Sequence, residues 1–175
     1  PDPEFSAKVI EVANLLKKAK RPLLLAGHGV RLAGGNDEFI KLAEQHQIPL
    51  TTSWNGDDVV HSYHDLFIGR PGAFAARGVN FAVQNADLLV SIGSRLPFMI
   101  TGYNAKDFAR NARVVMVDID QAELDKSCLN LYSKIRSDAK DFLIALNQQL
   151  SNDPFQTPQE WLKHCKNWKQ KYPVI

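Results

Sequence analysis

Three short, mainly apolar runs stand out along the chain, at residues 23–26, 88–92 and 114–119. None shows the strict alternation of apolar and polar residues expected for a strand with one face in water. Each therefore predicts a strand that is covered on both faces within a parallel sheet. The first two runs lead into loops that contain glycine, and the third ends in carboxylates.

Apolar residues at helical spacing occur between these runs. Val9, Val12, Ala13 and Leu16 lie on one face and predict a helix over residues 6–18. The same reasoning predicts helices near residues 39–43, 79–86, 106–109 and 142–150, weaker strands at 50–52, 66–68 and 132–135, and loops at 27–35, 53–58 and 69–72.

Strands and helices thus alternate along most of the chain. This alternation predicts an α/β fold, a three-layer α/β/α sandwich around a six-stranded parallel Rossmann-like sheet. We expect the strand order 3-2-1-4-5-6. A ligand is then expected at the point where the strand order reverses, near the carboxyl ends of the first and fourth strands.

The last part of the chain has a different pattern. Residues 152–158 form a polar connector containing proline, and Trp161, Leu162, Cys165, Trp168 and Tyr172 follow at near-helical spacing. This aromatic stripe either packs against the preceding domain or docks onto a neighbouring one, and we favour docking. We therefore divide the chain into a domain at 1–150 and a linker with a helix at 151–175. Because the sequence starts at Pro1 and ends at Pro173-Val174-Ile175, we expect a fragment of a longer protein.

Composition narrows the function classes. The formal net charge is +2 and the basic residues are scattered, which argues against a nucleic-acid-binding protein. No apolar run is long enough for a membrane span, and no signal peptide is visible, so we expect a cytoplasmic location. Cys128 and Cys165 are far apart, and the histidines lack metal-ligand spacing, so neither a disulfide framework nor a metal site is predicted.

The loops after the apolar runs carry the candidate binding residues. Gly27-His28-Gly29 follows the first strand, but Leu32 occupies the place of the third glycine of the dinucleotide fingerprint. Glycine there allows backbone N–H groups to approach a phosphate, or simply allows a tight turn. Gly93-Ser94-Arg95 is the stronger candidate, because its arginine can hold a phosphate with two hydrogen bonds.

Carboxylates follow the later strands. Asp118 and Asp120 suit ribose hydroxyls, and one of them is expected to cap the turn into residues 121–124. Asp138 has the sequence context of a helix cap. Asp57-Asp58 is interpreted as a solvated loop. No catalytic constellation is evident in the sequence.

Three of these segments together resemble a known family. Residues 21–30, residues 85–95 and Val117-Asp118-Ile119-Asp120 are similar, in order and spacing, to the central domain of thiamine-diphosphate enzymes, of the acetolactate synthase (acetohydroxyacid synthase) type. The likeness extends from Phe5 to Leu150, and residues 161–174 resemble the linker that follows. The implied fold is a DHS-like NAD/FAD-binding domain.

The resemblance implies a larger parent enzyme, a transferase or lyase with an N-terminal and a C-terminal domain on either side of this one, assembled as a dimer or tetramer. Such enzymes decarboxylate pyruvate and join the two-carbon unit to a 2-keto acid, and the carbanion chemistry is that of thiamine diphosphate held with magnesium. The chain lacks the Gly-Asp-Gly motif that holds the diphosphate. We therefore expect neither thiamine diphosphate nor magnesium to bind to this domain, and we expect the chain alone to be inactive.

The resemblance also implies the positions that contact FAD or ADP in this domain. They are Gly27, Gly29, Ser53, Trp54, Asn55, Gly69, Gly72, Gly93, Ser94, Arg95, Asp118, Ile119 and Asp138. Flavin-binding members of the family carry Asp-Asp-Arg shortly after the segment that corresponds to Gly93-Ser94-Arg95. This chain has Pro97, Phe98 and Met99 at those positions. The resemblance implies FAD or ADP in this cleft, and the departure favours ADP, another nucleotide or an empty cleft over FAD.

Two other interpretations of the chain's function remain open from the sequence. One is a free-standing NAD-binding module with the topology that sirtuins share. The other is a structural scaffold that binds no small molecule.

Overall fold

The computed structural model describes residues 4–173. Val174 and Ile175, at the end of the predicted linker, lie outside the described residues. The strands are β1 (Pro22–Ala26), β2 (Leu50–Thr52), β3 (Phe67–Gly69), β4 (Leu88–Ile92), β5 (Arg113–Asp118) and β6 (Ser133–Arg136). The helices are α1 (Phe5–Lys18), α2 (His28–Leu32), α3 (Asn36–His46), α4 (Arg77–Asn85), α5 (Phe98–Thr101), α6 (Gln121–Leu124), α7 (Ala139–Ser151) and α8 (Gln159–Lys171).

The six strands form one parallel sheet in the order β3-β2-β1-β4-β5-β6, which confirms the predicted fold. Every residue of β1 and β4 is buried. Alternate residues contribute to two separate apolar cores: Leu24 and Ala26 face the core that contains α1, α3 and α7, whereas Leu23 and Leu25 face the core that contains α4 and α8. This covering of both faces is why the strands are continuously apolar.

The predicted loops contain more structure than expected. The segment 27–35 includes α2, and a 3-10 turn occupies Trp54–Gly56 within the predicted loop 53–58. Helix α5 was not predicted: it starts after Pro97, whose carbonyl accepts hydrogen bonds from the N–H groups of Ile100 and Thr101. The helix predicted near 106–109 is only a 3-10 turn, Ala105–Asp107. Each is too short to produce a helical repeat of apolar residues.

Helix α8 packs against its own domain, so our preferred docking interpretation of the aromatic stripe needs correction. Trp161 is 3% exposed and its indole N–H donates to the Pro22 carbonyl at 2.8 Å. Cys165 is fully buried, and the two tryptophan rings, of Trp161 and Trp168, meet edge to face. Gly78 of α4 lies so close to the Trp168 carbonyl that any β-carbon there would collide with it. The connector is fixed as well, since the Thr157 N–H donates to the carbonyl of His46.

Candidate functional site

Two neighbouring cavities open at the carboxyl ends of the strands, where the order reverses between β1 and β4. We call them the tryptophan-side cavity, of about 410 Å³, and the aspartate-side cavity, of about 430 Å³, and together they form the cleft. The first is lined by His28, Ser53, Trp54, Asn55, Gly93, Ser94, Arg95, Pro97, Met99 and Ile100, and the second by His28, Gly29, Leu32, Ala33, Gly93, Arg95, Asp118, Ile119, Ser137, Asp138 and Ala139. The three shared residues, His28, Gly93 and Arg95, mark the junction.

The glycines at this junction pack against each other. Gly93 has φ of +63°, in the left-handed region, and a β-carbon on Gly27 would overlap the Gly93 carbonyl. The N–H groups of Gly27, Gly29 and Gly93 donate to the carbonyls of Ile92, Gly93 and Val117 at 2.8–2.9 Å. These N–H groups are therefore occupied within the protein, which favours the tight-turn alternative for these glycines. Glycine is required at these positions because the turn after β1 and the turn after β4 pack with their backbones in direct contact.

The backbone N–H groups available to an anion come from the next two residues. Within residues 4–173, neither the Ser94 N–H nor the Arg95 N–H has a hydrogen-bond partner. The Ser94 side chain is buried, and its hydroxyl oxygen accepts from the Leu96 N–H at 3.3 Å, which leaves its own proton free to donate. Two amides and a hydroxyl of residues that line the tryptophan-side cavity thus remain available as donors.

Arg95 extends over the mouth of the cleft. Its side chain is 69% exposed, and one guanidinium nitrogen lies 3.9 Å from a carboxylate oxygen of Glu123. Lys126 also pairs with Glu123 and donates to the Arg95 carbonyl. Because only one guanidinium nitrogen contacts a carboxylate, and at 3.9 Å, most of the five N–H donors remain for a ligand.

The aspartates divide the two roles expected of them. Asp120 caps α6 by accepting from the Ala122 N–H, and Asp138 caps α7 by accepting from the N–H groups of Lys140 and Asp141. Asp118 caps no helix and lines the aspartate-side cavity, where one oxygen accepts from the Asp120 N–H at 2.9 Å. Asp118 is thus the carboxylate most suitable for ribose hydroxyls.

Burial raises the pKa of the Asp118 carboxyl above its usual 3.8, and the Asp120 N–H only partly opposes this effect. The native state therefore binds more protons than the unfolded chain between pH 3.8 and the raised native value. The free energy of unfolding should accordingly fall as the pH rises through this window. We expect wild type to lose stability relative to Asp118→Asn across it, measured by urea unfolding of both proteins from about pH 3.5 to about pH 7. A difference that stays constant with pH would contradict the raised pKa.

His28 is a site residue that our sequence reasoning did not select. It begins α2, and its Nδ1 lies 2.7 Å from the Asn55 carbonyl oxygen, which can only accept, so Nδ1 carries the proton. The ring therefore stands between the two cavities in a fixed tautomer. Its position between two glycines at the sheet's reversal point is the signal that identifies it.

Three predicted site residues do not line the cleft. Gly69 lines a different cavity beside β3. Gly72 packs beneath the Met99 carbonyl with φ of +137°, and its N–H and carbonyl are both bound by the Asn80 side chain. Gly27 likewise lies beneath the floor rather than on it. The other ten predicted positions, from Gly29 to Asp138, line one or both cavities.

The far wall of the tryptophan-side cavity is apolar. Pro97, Met99 and Ile100 line it, as does the half-exposed Trp54.

Within residues 4–173 no group of three histidine, cysteine or carboxylate residues is placed to hold a metal ion. In the same range, no helix has the length and apolar character that crossing a membrane requires.

Comparison with known proteins provides the family context. The family model described as thiamine pyrophosphate enzyme, central domain, matches residues 9–146. A probable acetolactate synthase large subunit of Methanococcus aeolicus is 33% identical over 179 residues, covering 96% of this chain and 29% of that protein. The acetolactate synthase large subunit of Cyanidium caldarium is 33% identical, and the match covers 91% of this chain and 28% of that subunit. The acetolactate synthase isozyme 2 large subunit of Escherichia coli is 29% identical, and the match covers 95% of this chain and 30% of that subunit. The chain therefore spans under a third of these relatives.

Proposed function

Because the chain belongs to the thiamine pyrophosphate enzyme central-domain family, we propose that it binds an adenine nucleotide within a larger acetolactate synthase-like enzyme. The cleft at the sheet's reversal point is the observation that carries this proposal. For the whole protein, we propose decarboxylation of pyruvate and transfer of the two-carbon unit to a second 2-keto acid. Thiamine diphosphate and magnesium are assigned to its other domains, and assembly into an oligomer is part of the same proposal.

The residues of the cleft fit an adenosine diphosphate group. The Asp118 carboxylate in the aspartate-side cavity provides acceptors for ribose hydroxyls. The phosphates would reach past the junction to the edge of the tryptophan-side cavity, where the Ser94 and Arg95 amides provide donors. The Arg95 guanidinium at the junction adds a positive charge. A cavity of about 430 Å³ is within the usual range for small-molecule sites. The nucleotide's role would be structural, because no group in the cleft is placed for catalysis on it.

The apolar wall distinguishes among the nucleotides. An ADP group needs the aspartate-side cavity and the junction, whereas FAD must also place its ribityl chain and flavin in the tryptophan-side cavity. Pro97 and Met99 offer no side-chain hydrogen bonds to ribityl hydroxyls. We therefore propose ADP as the preferred ligand, with FAD and NAD as the competitors to test.

Replacement of Arg95 should weaken ADP binding. Loss of a charged hydrogen bond to the diphosphate costs about 1.5–3 kcal/mol, so we expect the Kd of Arg95→Ala to rise about 10- to 150-fold. Isothermal titration with ADP, FAD and NAD measures this change. Arg110→Ala is the matched control, since Arg110 is exposed and lines neither cavity. Equal affinities in the two variants would remove Arg95 from the site, and no heat with any nucleotide would favour the scaffold alternative.

The activity of the whole protein needs a separate test. The full-length protein, supplied with thiamine diphosphate, magnesium and pyruvate, should release carbon dioxide and form acetolactate. Tight binding of NAD by the chain, without carboligase activity in the full-length protein, would instead support the NAD-binding module.

A further inference from the structure

A third cavity, of about 580 Å³, lies beyond the edge strand β3, between that strand, α4 and α8. We call it the edge cavity. It shares only Trp54 with the tryptophan-side cavity and nothing with the aspartate-side cavity. It is therefore a separate compartment, and the proposed nucleotide site does not account for it.

Arg70 supplies an incompletely bonded cation to this cavity. Its Nε is buried and has no hydrogen-bond partner among residues 4–173, and one terminal nitrogen makes only long contacts, 3.4 Å each, to the Asp57 carbonyl and the Ser62 hydroxyl. No carboxylate in that range lies within ion-pair distance of the guanidinium. A buried donor without a partner is costly, and such a group commonly marks a site for something else.

Lys169 supplies a second cation. Its Nζ donates to the Phe67 carbonyl at 2.6 Å, and two N–H donors remain. Burial lowers the pKa of this ammonium, the charge of Asp65 opposes the shift, and the charge of Lys166 adds to it. The Arg70 and Lys169 cations lie 5.3 and 5.5 Å from the centre of the same ring, that of Phe67. Both cations therefore lie beside the Phe67 ring, and both line the edge cavity.

The remaining walls are largely apolar. Ile68 and Val79 are buried at the back, and Phe74, 74% exposed, stands at the opening with Tyr172. Asp57 is the one acid among the residues described as lining the cavity. Two cations near the Phe67 ring and mainly apolar or aromatic groups elsewhere suit a ligand with an anionic head and a flat apolar body.

We propose that the edge cavity binds an organic carboxylate with an aromatic body, its carboxylate between Arg70 and Lys169 and its ring against Phe74 and Val79. A guanidinium and an ammonium can together satisfy both carboxylate oxygens. This site is additional to the proposed nucleotide cleft, and its occupation does not depend on a nucleotide.

The test is a titration of the chain with 2-naphthoate, followed by backbone amide NMR. We expect Kd of about 1 mM or tighter, in keeping with a ligand of about a dozen non-hydrogen atoms. The shifted amides should be those of β3 and of α8 near Lys169. The neutral analogue 2-naphthamide should bind at least about tenfold more weakly. No binding, equal binding of the amide, or shifts confined to residues 93–95 would overturn the proposal.

Variants separate this site from the nucleotide cleft. Arg70→Gln should weaken naphthoate at least about tenfold and leave ADP affinity unchanged, and Arg95→Ala should do the reverse. Lys163→Gln is the control on α8, because that lysine is exposed and away from the cavity. Thermal unfolding establishes that each variant is folded, and Arg70→Lys, which retains the charge, should recover part of the affinity. Unchanged naphthoate binding in a folded Arg70→Gln would refute the site even if ADP binds as proposed.

Discussion

Gly27→Ala is expected to destabilise the domain by at least about 3 kcal/mol, at or beyond the upper end of ordinary overpacking costs. The added β-carbon would overlap the Gly93 carbonyl and also approach the Ser94 Cα. Both obstacles are backbone atoms, so no side chain can rotate away to relieve the collision. Relief requires the turns that follow β1 and β4 to move apart, which breaks the hydrogen bond from the Gly27 N–H to the Ile92 carbonyl. Against a typical domain stability of about 5–15 kcal/mol, the loss is large.

Urea unfolding measures this effect, and Gly34→Ala is its control. Gly34 has φ of +67°, but a β-carbon there meets no atom within 4 Å. Its substitution should cost only the left-handed backbone penalty, about 1–2 kcal/mol. Similar losses in the two variants would show that Gly27 tolerates a side chain and that the backbone crossing is looser than described.

Trp161→Ala is expected to cost about 3–5 kcal/mol, the range for removal of a large buried aromatic side chain. The ring lies within the α4–α8 core beside Cys165 and Trp168, and its indole N–H binds the Pro22 carbonyl. Truncation would leave a cavity and an unsatisfied buried carbonyl. Trp161→Phe isolates the second effect, because it keeps most of the ring volume and should cost about 1–3 kcal/mol.

The same unfolding experiment includes Trp54→Ala as a control for tryptophan removal. Trp54 is half-exposed at the mouth of the cleft, so its loss should change the stability by no more than about 0.5 kcal/mol. If Trp161→Ala proved as mild as Trp54→Ala, α8 would not be an integral part of this domain, and the docking interpretation would regain its support.

The sheet was predictable because burial on both faces leaves a direct mark on the sequence. Leu23, Leu24 and Leu25 alternate between two cores, and each must be apolar regardless of which core it faces. Short elements leave no comparable mark. Helix α5 has four residues, just over one helical turn, and only its proline N-cap hints at its start.

The candidate site was predictable in position but not in detail. Parallel strands place the residues after β1, β4 and β5 at one edge, so Arg95 and Asp118 were expected near each other. A glycine after a strand, however, looks the same whether it approaches a ligand or another backbone turn. The packing of Gly27 against Gly93 depends on two segments far apart in sequence, and that proximity appears only in three dimensions.

The aromatic helix shows a similar limit. Its spacing correctly predicted one apolar face, but not which surface covers that face. The decisive contacts are with Pro22 and Gly78, neither of which looks like a partner for tryptophan in the sequence. The sequence likewise does not show that Arg70 and Lys169 both lie near the Phe67 ring, because the two residues are far apart along the chain.

The bond between Trp161 and the Pro22 carbonyl has a consequence for synthesis of the chain on the ribosome. Its partners are 139 residues apart, and it joins the last helix to the start of the first strand. Strand β1 lies at the centre of the sheet, yet its neighbour β4 emerges more than 60 residues later. The domain therefore cannot be completed progressively from its N-terminus. The edge of β1 therefore remains a target for chaperones until β4 emerges, and the bond from Trp161 to Pro22 must await the arrival of α8.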